Sequence, residues 1–597
     1  MQFSRIAFFC CAVLILFTGM FYYPKWSKPG SEATISWDVS GYYMYLPAAF
    51  IYKDLKKCAF KDSILAKYQP SPDFQQAFLH PSGNYVMKYP AGQAIMMLPF
   101  FIAAHLYAGF SDSFAADGFS YPYQLAISWG MLLVALIGIW YLRKILLEYF
   151  TDKATAITLL IIVFATNYLN YAAIDGAMTH NSLFTLYCLL IWTTIRFYRQ
   201  PSLLKALFIG CFVGWVTLIR PTEIISILIP LLWGVSSVTD GKRRISFFLK
   251  EFRYIFAVTV GAATFIFIQL LYWKWSSGDW IVYSYQDQGF SWLHPHLYNG
   301  MFSSNNGWIT YTPAMALFFF GLPVLYQKRK NLFWTVAVFS ALFIYICFAW
   351  DIWWYGGSLG MRAMIQSYPV LAVSIAALMD MLLKKKIYLQ LIVAGFLLLC
   401  TYYNFWLTHQ AHRGGLYRAG EMTDAYLKAI LFQYKVDDNV QFLLDNTDRF
   451  KGTPSASSEI YSNNFDAESD EHATALYAVS GKSLFLNKEK QATPEYEVPV
   501  SAAKGNWLRI SATFRTERKE WNTWRMAQFM VKFYNGNDLV KYNMVRVFRV
   551  LQDNETKRIY FDAKIPDAYD RVIVSCWNAD SDRPLLLDDL KVFLFEP

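Results

Sequence analysis

The sequence predicts a polytopic α-helical membrane protein that ends in an all-β sandwich domain, and three observations carry that prediction. The chain is 55% hydrophobic and 19% aromatic but only 16% charged, too apolar for an ordinary soluble enzyme of 597 residues. The apolar excess lies in residues 1–410, as repeated runs of about 17–22 residues, the length a helix needs to cross about 30 Å of hydrocarbon. From about Ser455 the pattern turns to short alternating runs separated by turn signals. Residues 411–597 hold 25 Lys+Arg and 27 Asp+Glu, so the net charge of +10 comes from the apolar part. That excess reflects membrane topology, and no nucleic-acid partner is expected.

The first span covers about Ile6 to Tyr23 and is followed by Tyr22-Tyr23-Pro24-Lys25-Trp26 without a small-x-small cleavage pattern, so it reads as a retained signal anchor. Ten further spans are expected near 123–142, 154–172, 181–198, 203–219, 221–238, 252–272, 309–326, 332–349, 364–383 and 387–407. Basic clusters alternate between them: Arg143, Lys144 and Lys153; Arg196, Arg199 and Lys205; Lys242, Arg243 and Arg244; Lys328, Arg329 and Lys330; and Lys384, Lys385 and Lys386. With a cytoplasmic N-terminus and eleven spans, all five clusters fall inside, as the positive-inside rule requires. Ala91–Phe110 is also apolar, but a twelfth span would put every cluster outside. It is therefore expected to be an interfacial or re-entrant helix within a first outer loop, 24–122, an assignment that Gly92, Pro99 and His105 permit.

An odd number of spans exports everything after residue 407. The expected division is a transmembrane domain over 1–410, a linker with a short helix over 411–454, and an extracytoplasmic β-sandwich over 455–597. The linker helix is placed around Met422–Tyr434. Strands are expected at Leu508–Phe514, Ala527–Tyr534, Tyr542–Val550, Arg558–Phe561, Val572–Trp577 and Leu590–Phe595, the second closed by Asn535-Gly536-Asn537. Of the eight cysteines only Cys58 and Cys576 lie clearly outside apolar spans, so no disulfide framework is expected.

The outer face then gathers the loops 24–122, 173–180, 273–308 and 350–363, rich in Trp, Tyr, His, Asn and Gly. Ile35-Ser36-Trp37-Asp38-Val39-Ser40-Gly41-Tyr42-Tyr43 sets an acid among aromatics where the chain has just crossed the membrane. A carboxylate there is costly without a partner or a task. Asp38 either caps a helix start or serves as a general base, and Trp37, Tyr42 and Tyr43 are candidate substrate contacts. Ile174-Asp175-Gly176-Ala177-Met178-Thr179-His180-Asn181 is either a tight turn or a site loop carrying Asp175 and His180. Trp350 to Arg362 combines glycines, Trp353, Trp354 and Tyr355, and an arginine able to fork onto phosphate oxygens. It suits either an interfacial aromatic belt or a lipid-phosphate site. Arg220, in Leu218-Ile219-Arg220-Pro221-Thr222-Glu223, is a second phosphate candidate unless Glu223 neutralises it, and Lys88 is a third. Hard oxygen ligands at Asp38 and Asp175 would suit Mg²⁺ or Mn²⁺. His294-Pro295-His296 lacks metal-site spacing, and neither a metal nor another cofactor is predicted.

Trp37-Asp38 with Tyr42-Tyr43, then Lys88-Tyr89-Pro90-Ala91-Gly92 leading into Leu98-Pro99-Phe100-Phe101, together with the order of spans, resembles the GT-C superfamily of membrane glycosyltransferases. The branch it resembles is that of the dolichyl-phosphate-mannose protein mannosyltransferases and bacterial relatives that glycosylate lipid A. The resemblance covers about residues 1–410. It implies an active-site role for Asp38, a second carboxylate at Asp175, and surface helices after Lys88 and Tyr89. The chain departs from the pattern at Val39, where many members have Glu. Leu587-Asp588-Asp589-Leu590-Lys591-Val592 resembles the last strand of jelly-roll carbohydrate-binding modules, and Trp521 or Trp524 could stack on a sugar there.

The function so implied is an inverting hexosyl or pentosyl glycosyltransferase. It would take its sugar from a polyprenyl-phosphate donor and pass it to a protein, lipid or glycan acceptor on the periplasmic face of a bacterial inner membrane. The rivals are a transporter or flippase of a glycan or lipid, which would show inverted repeats and mid-membrane charges, and a glycan polymerase or ligase.

Overall fold

The computed structural model describes residues 2–453, 455–469, 473–476, 478–500 and 506–596. It divides into two compact units, Met1–Gly420 and Glu421–Pro597. The first is helical. Among the described residues, seven of its helices are long and apolar enough to cross a membrane: Phe3–Ser27, Gly92–Gly109, Tyr121–Leu147, Phe252–Ser277, Lys330–Ala349, Arg362–Leu382 and Ile387–Gly414.

Six of these coincide with expected spans. Gly92–Gly109 is the segment expected at the interface, and its 18 residues reach crossing length by size and composition. Thr179–Arg199 and Leu203–Ile219 are also single helices where spans are expected. Three expected spans are broken. The stretch 154–172 is Asp152–Phe164 followed by Tyr168–Ala173, and 309–326 begins with short turns before Leu317–Lys328. The stretch 221–238 is corrected most: it is a 3-10 turn, Pro221–Ile227, and a one-turn helix, Leu228–Leu232. Together these are too short for a straight crossing. The cause is Pro221, which disfavours helical backbone at the residue before it. Arg220 accordingly takes φ −143° and ψ 118°, and the helix Leu203–Ile219 stops there.

That helix is held against Phe252–Ser277 by small residues. A Cβ on Gly210 would lie 2.0 Å from the Val258 carbonyl oxygen, one on Gly214 2.5 Å from that of Ala262, and one on Gly261 2.3 Å from that of Leu207. Such backbone-to-backbone approach is how apolar helices gain packing where no hydrophobic driving force separates them from lipid. It fixes the end of the helix, and so Arg220. A two-stranded hairpin, β1 (Ala77–Leu79) with β2 (Tyr85–Met87), leads into Lys88 and Tyr89.

The second unit is an antiparallel two-sheet domain. Its strands are β3 (Ala456–Asn463), β4 (Ala473–Thr474), β5 (Ser483–Leu486), β6 (Tyr496–Glu497), β7 (Trp507–Thr516), β8 (Gln528–Asn535), β9 (Asp538–Arg546), β10 (Glu555–Lys564), β11 (Arg571–Trp577) and β12 (Leu585–Glu596). One sheet runs β10-β7-β12-β5-β4 with β3 on the second half of β12, and the other runs β6-β11-β8-β9. Alternation explains the core: Leu508, Ile510, Ala512 and Phe514 of β7 are buried, as are Phe529, Val531 and Phe533 of β8. Gly536, at φ +60°, turns β8 into β9 where Asn-Gly-Asn is expected to. From Glu421 onward the segment expected to be a linker belongs to this unit. Its helix is Asp424–Ile430. Asp445, fully buried, pairs with Arg546 and, at 2.7 Å, with Arg549. Trp521 and Trp524 lie exposed before β8.

Candidate active site

Asp38 stands in the first turn of the short helix Trp37–Tyr43, entered through Trp37 at φ +45°, a strained conformation for a bulky side chain. Ser36 occupies the cap position, and both Asp38 oxygens are turned elsewhere. Tyr89 donates its hydroxyl to Oδ1 at 2.7 Å, and Arg362 donates Nη2 to Oδ2 at 2.9 Å. Three segments, more than 300 residues apart at the extremes, thus meet on one carboxylate.

The Asp38 side chain is 29% exposed and faces a cavity of about 310 Å³. Lys88, Tyr89, Arg220, Arg362, Tyr42 and Tyr355 line the same space. Of the sequence-derived candidates, the three phosphate-binding candidates and four of the ten others therefore converge here. Tyr42 packs on Tyr89 with ring centroids 4.3 Å apart. The Arg220 guanidinium sits 5.8 Å from the Tyr355 ring centre, and the Lys88 ammonium 5.6 Å from that of Tyr89. Among the described residues, only Arg362 of the three cations ion-pairs with a carboxylate, and its Nε is buried without a partner. The cavity therefore presents more positive charge than its own acids compensate.

Burial pushes the Asp38 pKa up, but the Arg362 charge and the hydrogen bonds from Tyr89 and Arg362 outweigh it, so Asp38 stays below the usual carboxylate range. Burial and then the Asp38 charge push the Tyr89 phenol well above its ordinary value, which keeps it a donor.

The other candidates fall outside. Asp175 does not share the cavity: Lys25 Nζ lies 2.5 Å from its Oδ1 and Asn170 donates to Oδ2 at 2.9 Å. Its carboxyl, raised by burial, is brought down to about 2 chiefly by the Lys25 charge. Among the described residues no cluster of three or more His, Cys, Asp or Glu could hold a metal. His180 is fully buried, its Nδ1 2.9 Å from Gln366 Oε1. Tyr43 is also buried and donates to the Gly118 carbonyl oxygen. Trp37 is 48% exposed and, with Trp353 and Trp354, lies off the cavity wall. Gly360, at φ +63°, serves the backbone: a Cβ there would meet Tyr311 at 2.9 Å.

Sequence reasoning missed the wall supplied by Tyr283, Tyr285, Gln288 and Phe290, and Gln366, which lines the cavity with Glu223. The loop 273–308 stands out by composition, but nothing in its sequence says which aromatics turn inward. Asp351 draws that loop over the cavity, accepting from Gly289 N at 2.9 Å and Ser291 Oγ at 2.7 Å. Phe290 then packs edge-on to Trp350, and Tyr285 edge-on to Trp350 and Tyr89.

No protein-family model matches the chain, and no curated protein matches it in sequence. Among solved structures it is similar to the apo oligosaccharyltransferase of Archaeoglobus fulgidus, at 14% identity over 72% of this chain and 57% of that one, with a TM-score of 0.40. It is similar to the arabinosyltransferase EmbB of Mycobacterium smegmatis, at 12% identity over 79% of this chain and 57% of that one, with a TM-score of 0.33. It is also similar to the xylan-binding domain of Paenibacillus barcinonensis Xyn10C, at 15% identity over 24% of this chain and 99% of that one, with a TM-score of 0.18. The chain spans 57% of the length of each of the two transferases. At these scores the functional argument rests on the cavity.

Proposed function

We propose that the cavity is the active site of an inverting glycosyltransferase that uses a polyprenyl-phosphate sugar. The observation that carries this reading is one carboxylate, Asp38, facing a space that also holds Arg362, Arg220 and Lys88 beside a wall of Tyr42, Tyr89, Tyr285, Trp350 and Tyr355. Arginine forks match phosphate oxygens, and flat rings suit a sugar face. Ile346, Phe290 and Ile352 add an apolar side for the prenyl chain.

In the proposed step the acceptor hydroxyl gives its proton to Asp38 while its oxygen bonds to the anomeric carbon from the face opposite the phosphate. The bond from that carbon to the phosphate oxygen breaks, and its electron pair leaves with the phosphate, where Arg220 and Arg362 stabilise the charge. Donor binding also strengthens the base. A phosphate that draws the Arg362 charge onto itself weakens the hold of that charge on Asp38, and the carboxylate becomes readier to accept a proton. The alternation of basic clusters supports a site on the outer, periplasmic side of a bacterial inner membrane, with a protein, lipid or glycan hydroxyl as the proposed acceptor.

Purified protein given a polyprenyl-phosphate donor with a labelled sugar should release free polyprenyl phosphate and label an acceptor. If the label instead crosses a vesicle membrane still attached to its lipid, the protein is a transporter and the proposal fails.

A further inference from the structure

Each cavity arginine is followed, within about one turn, by a buried polar residue. Glu223 follows Arg220 in the 3-10 turn Pro221–Ile227, and Gln366 follows Arg362 in the 3-10 turn Arg362–Ser367. These two residues, 143 positions apart, meet: Gln366 Nε2 donates to Glu223 Oε1 at 3.0 Å. One helix, Thr179–Arg199, holds both ends of the link. Tyr187 donates its hydroxyl to Glu223 Oε2 at 2.6 Å, and His180 Nδ1 lies 2.9 Å from Gln366 Oε1. Because the Gln366 amide N–H is spent on Glu223, its carbonyl oxygen accepts from His180, which fixes the imidazole with its proton on Nδ1. His180 and Tyr187 are two helical turns apart on one face. None of the four is more than 2% exposed.

We propose that the Glu223–Gln366 hydrogen bond is a brace that sets the separation of Arg220 and Arg362, making both residues positioning residues for phosphate binding. The inference rests on the donor reading above and adds to it the device that holds the phosphate site in register. The two arginines come from different segments, and of the two only Arg362 is ion-paired within the cavity. A phosphate bridging both needs the two guanidiniums held in register, and in catalysis a 1 Å misplacement can cost about a hundredfold in rate. The link lines the same cavity as the two arginines and ties their segments together, and both of its side chains are hydrogen-bonded to the helix that carries His180 and Tyr187. A merely structural role, satisfying a buried carboxylate, would cost stability without caring whether Arg220 is present.

The test is a double-mutant cycle on the full-length protein in detergent, read as binding of labelled farnesyl phosphate alongside the thermal midpoint. Gln366→Leu should weaken binding at least tenfold in the wild-type background. In an Arg220→Ala background it should cost less than twofold further, because there is then no pair to hold in register. The exchange Glu223→Gln with Gln366→Glu re-forms an amide–carboxylate hydrogen bond and should bring binding back within threefold of wild type. If Gln366→Leu does not insert, Tyr187→Phe, which removes one hydrogen bond and no bulk, serves in the same cycle. Equal losses in both backgrounds, or unchanged binding, overturn the brace. A wild-type protein that does not bind farnesyl phosphate overturns the donor reading and the brace with it, whereas a wild type that binds without coupling overturns the brace alone.

Discussion

Asp38 is ionised wherever the protein is folded at neutral pH, and the arginine that keeps it so also blunts it as a base. Its use as a catalyst therefore depends on where the Arg362 charge goes when substrate arrives. Asp175 makes the contrast: a carboxylate equally well paired, with Lys25, but away from the cavity. Its pKa of about 2 lies below the ordinary value of 3.8. Its surroundings, Lys25 chief among them, therefore stabilise the fold above about pH 4, by about 2 kcal/mol, and that contribution is lost as pH falls toward the folded-state value. Asp175→Asn should lower the thermal midpoint at pH 7 and lose most of that difference by about pH 2, with turnover at pH 7 retained. A midpoint difference that persists at low pH would show that the ion pair is not its source. That Asp38, Lys88, Tyr89 and Arg362 are worth singling out was legible because polar and aromatic residue types at a membrane surface are few and costly, and they line one cavity. Asp175 was misplaced for the same reason: its loop marks it as unusual, but only the fold shows that Lys25 is its partner. Glu223 was read only as a possible partner of Arg220, and Gln366 went unread because it sits at the end of an apolar run, where a hydropathy pattern absorbs it.

At the scale of elements, the position of Arg220 is set by where one helix stops and by what that helix packs against. Gly214→Leu would drive a side chain into the Ala262 carbonyl oxygen, 2.5 Å from the new Cβ, and so push apart the pair Leu203–Ile219 and Phe252–Ser277. The expected result is a lower thermal midpoint and weakened donor binding, because Arg220 moves with the helix end. Gly395→Ala, where a Cβ meets nothing within 4 Å, should leave both unchanged and serves as the control. Equal tolerance of the two would mean that the glycine contact does not position Arg220. Helix locations followed from the apolar runs because crossing length is a strong constraint. The interruptions after Phe164 and at Pro221 did not, since averaged hydropathy does not register a break in backbone conformation. Strand positions from β7 onward followed from alternation, which β7 and β8 show cleanly, except that the expected strand Tyr542–Val550 lies at Asp538–Arg546 and ends in a 3-10 turn, Val547–Arg549. The packing of residues from Glu421 onto the sandwich was hidden because it depends on ion pairs such as Asp445 with Arg549, which carry no periodic signal.

For the molecule as a whole, the proposed eleven-span topology puts the cavity on the side opposite Lys242 and Lys384, a reading that needs the broken stretch 221–238 to cross. Compartment reporters near those two residues should read cytoplasmic, and reporters near Gly118 and Asp567 should read external. Gly92–Gly109 has the length to cross, so a cytoplasmic reading at Gly118 would mean that it does, and the topology assigned here would be wrong. The proposed transfer belongs to the helical unit with its charged, aromatic cavity, and a single substitution should separate its chemistry from its binding. Asparagine at position 38 matches aspartate in size and can still accept a hydrogen bond from Tyr89 or Arg362, but it cannot take a proton at neutral pH. The most direct measurement compares wild type with Asp38→Asn in purified form, following donor binding and labelled product together. The account predicts donor affinity within a few-fold of wild type and turnover reduced at least about a hundredfold, the scale of a lost general base. Turnover within about threefold of wild type, below any general-base contribution, would contradict it.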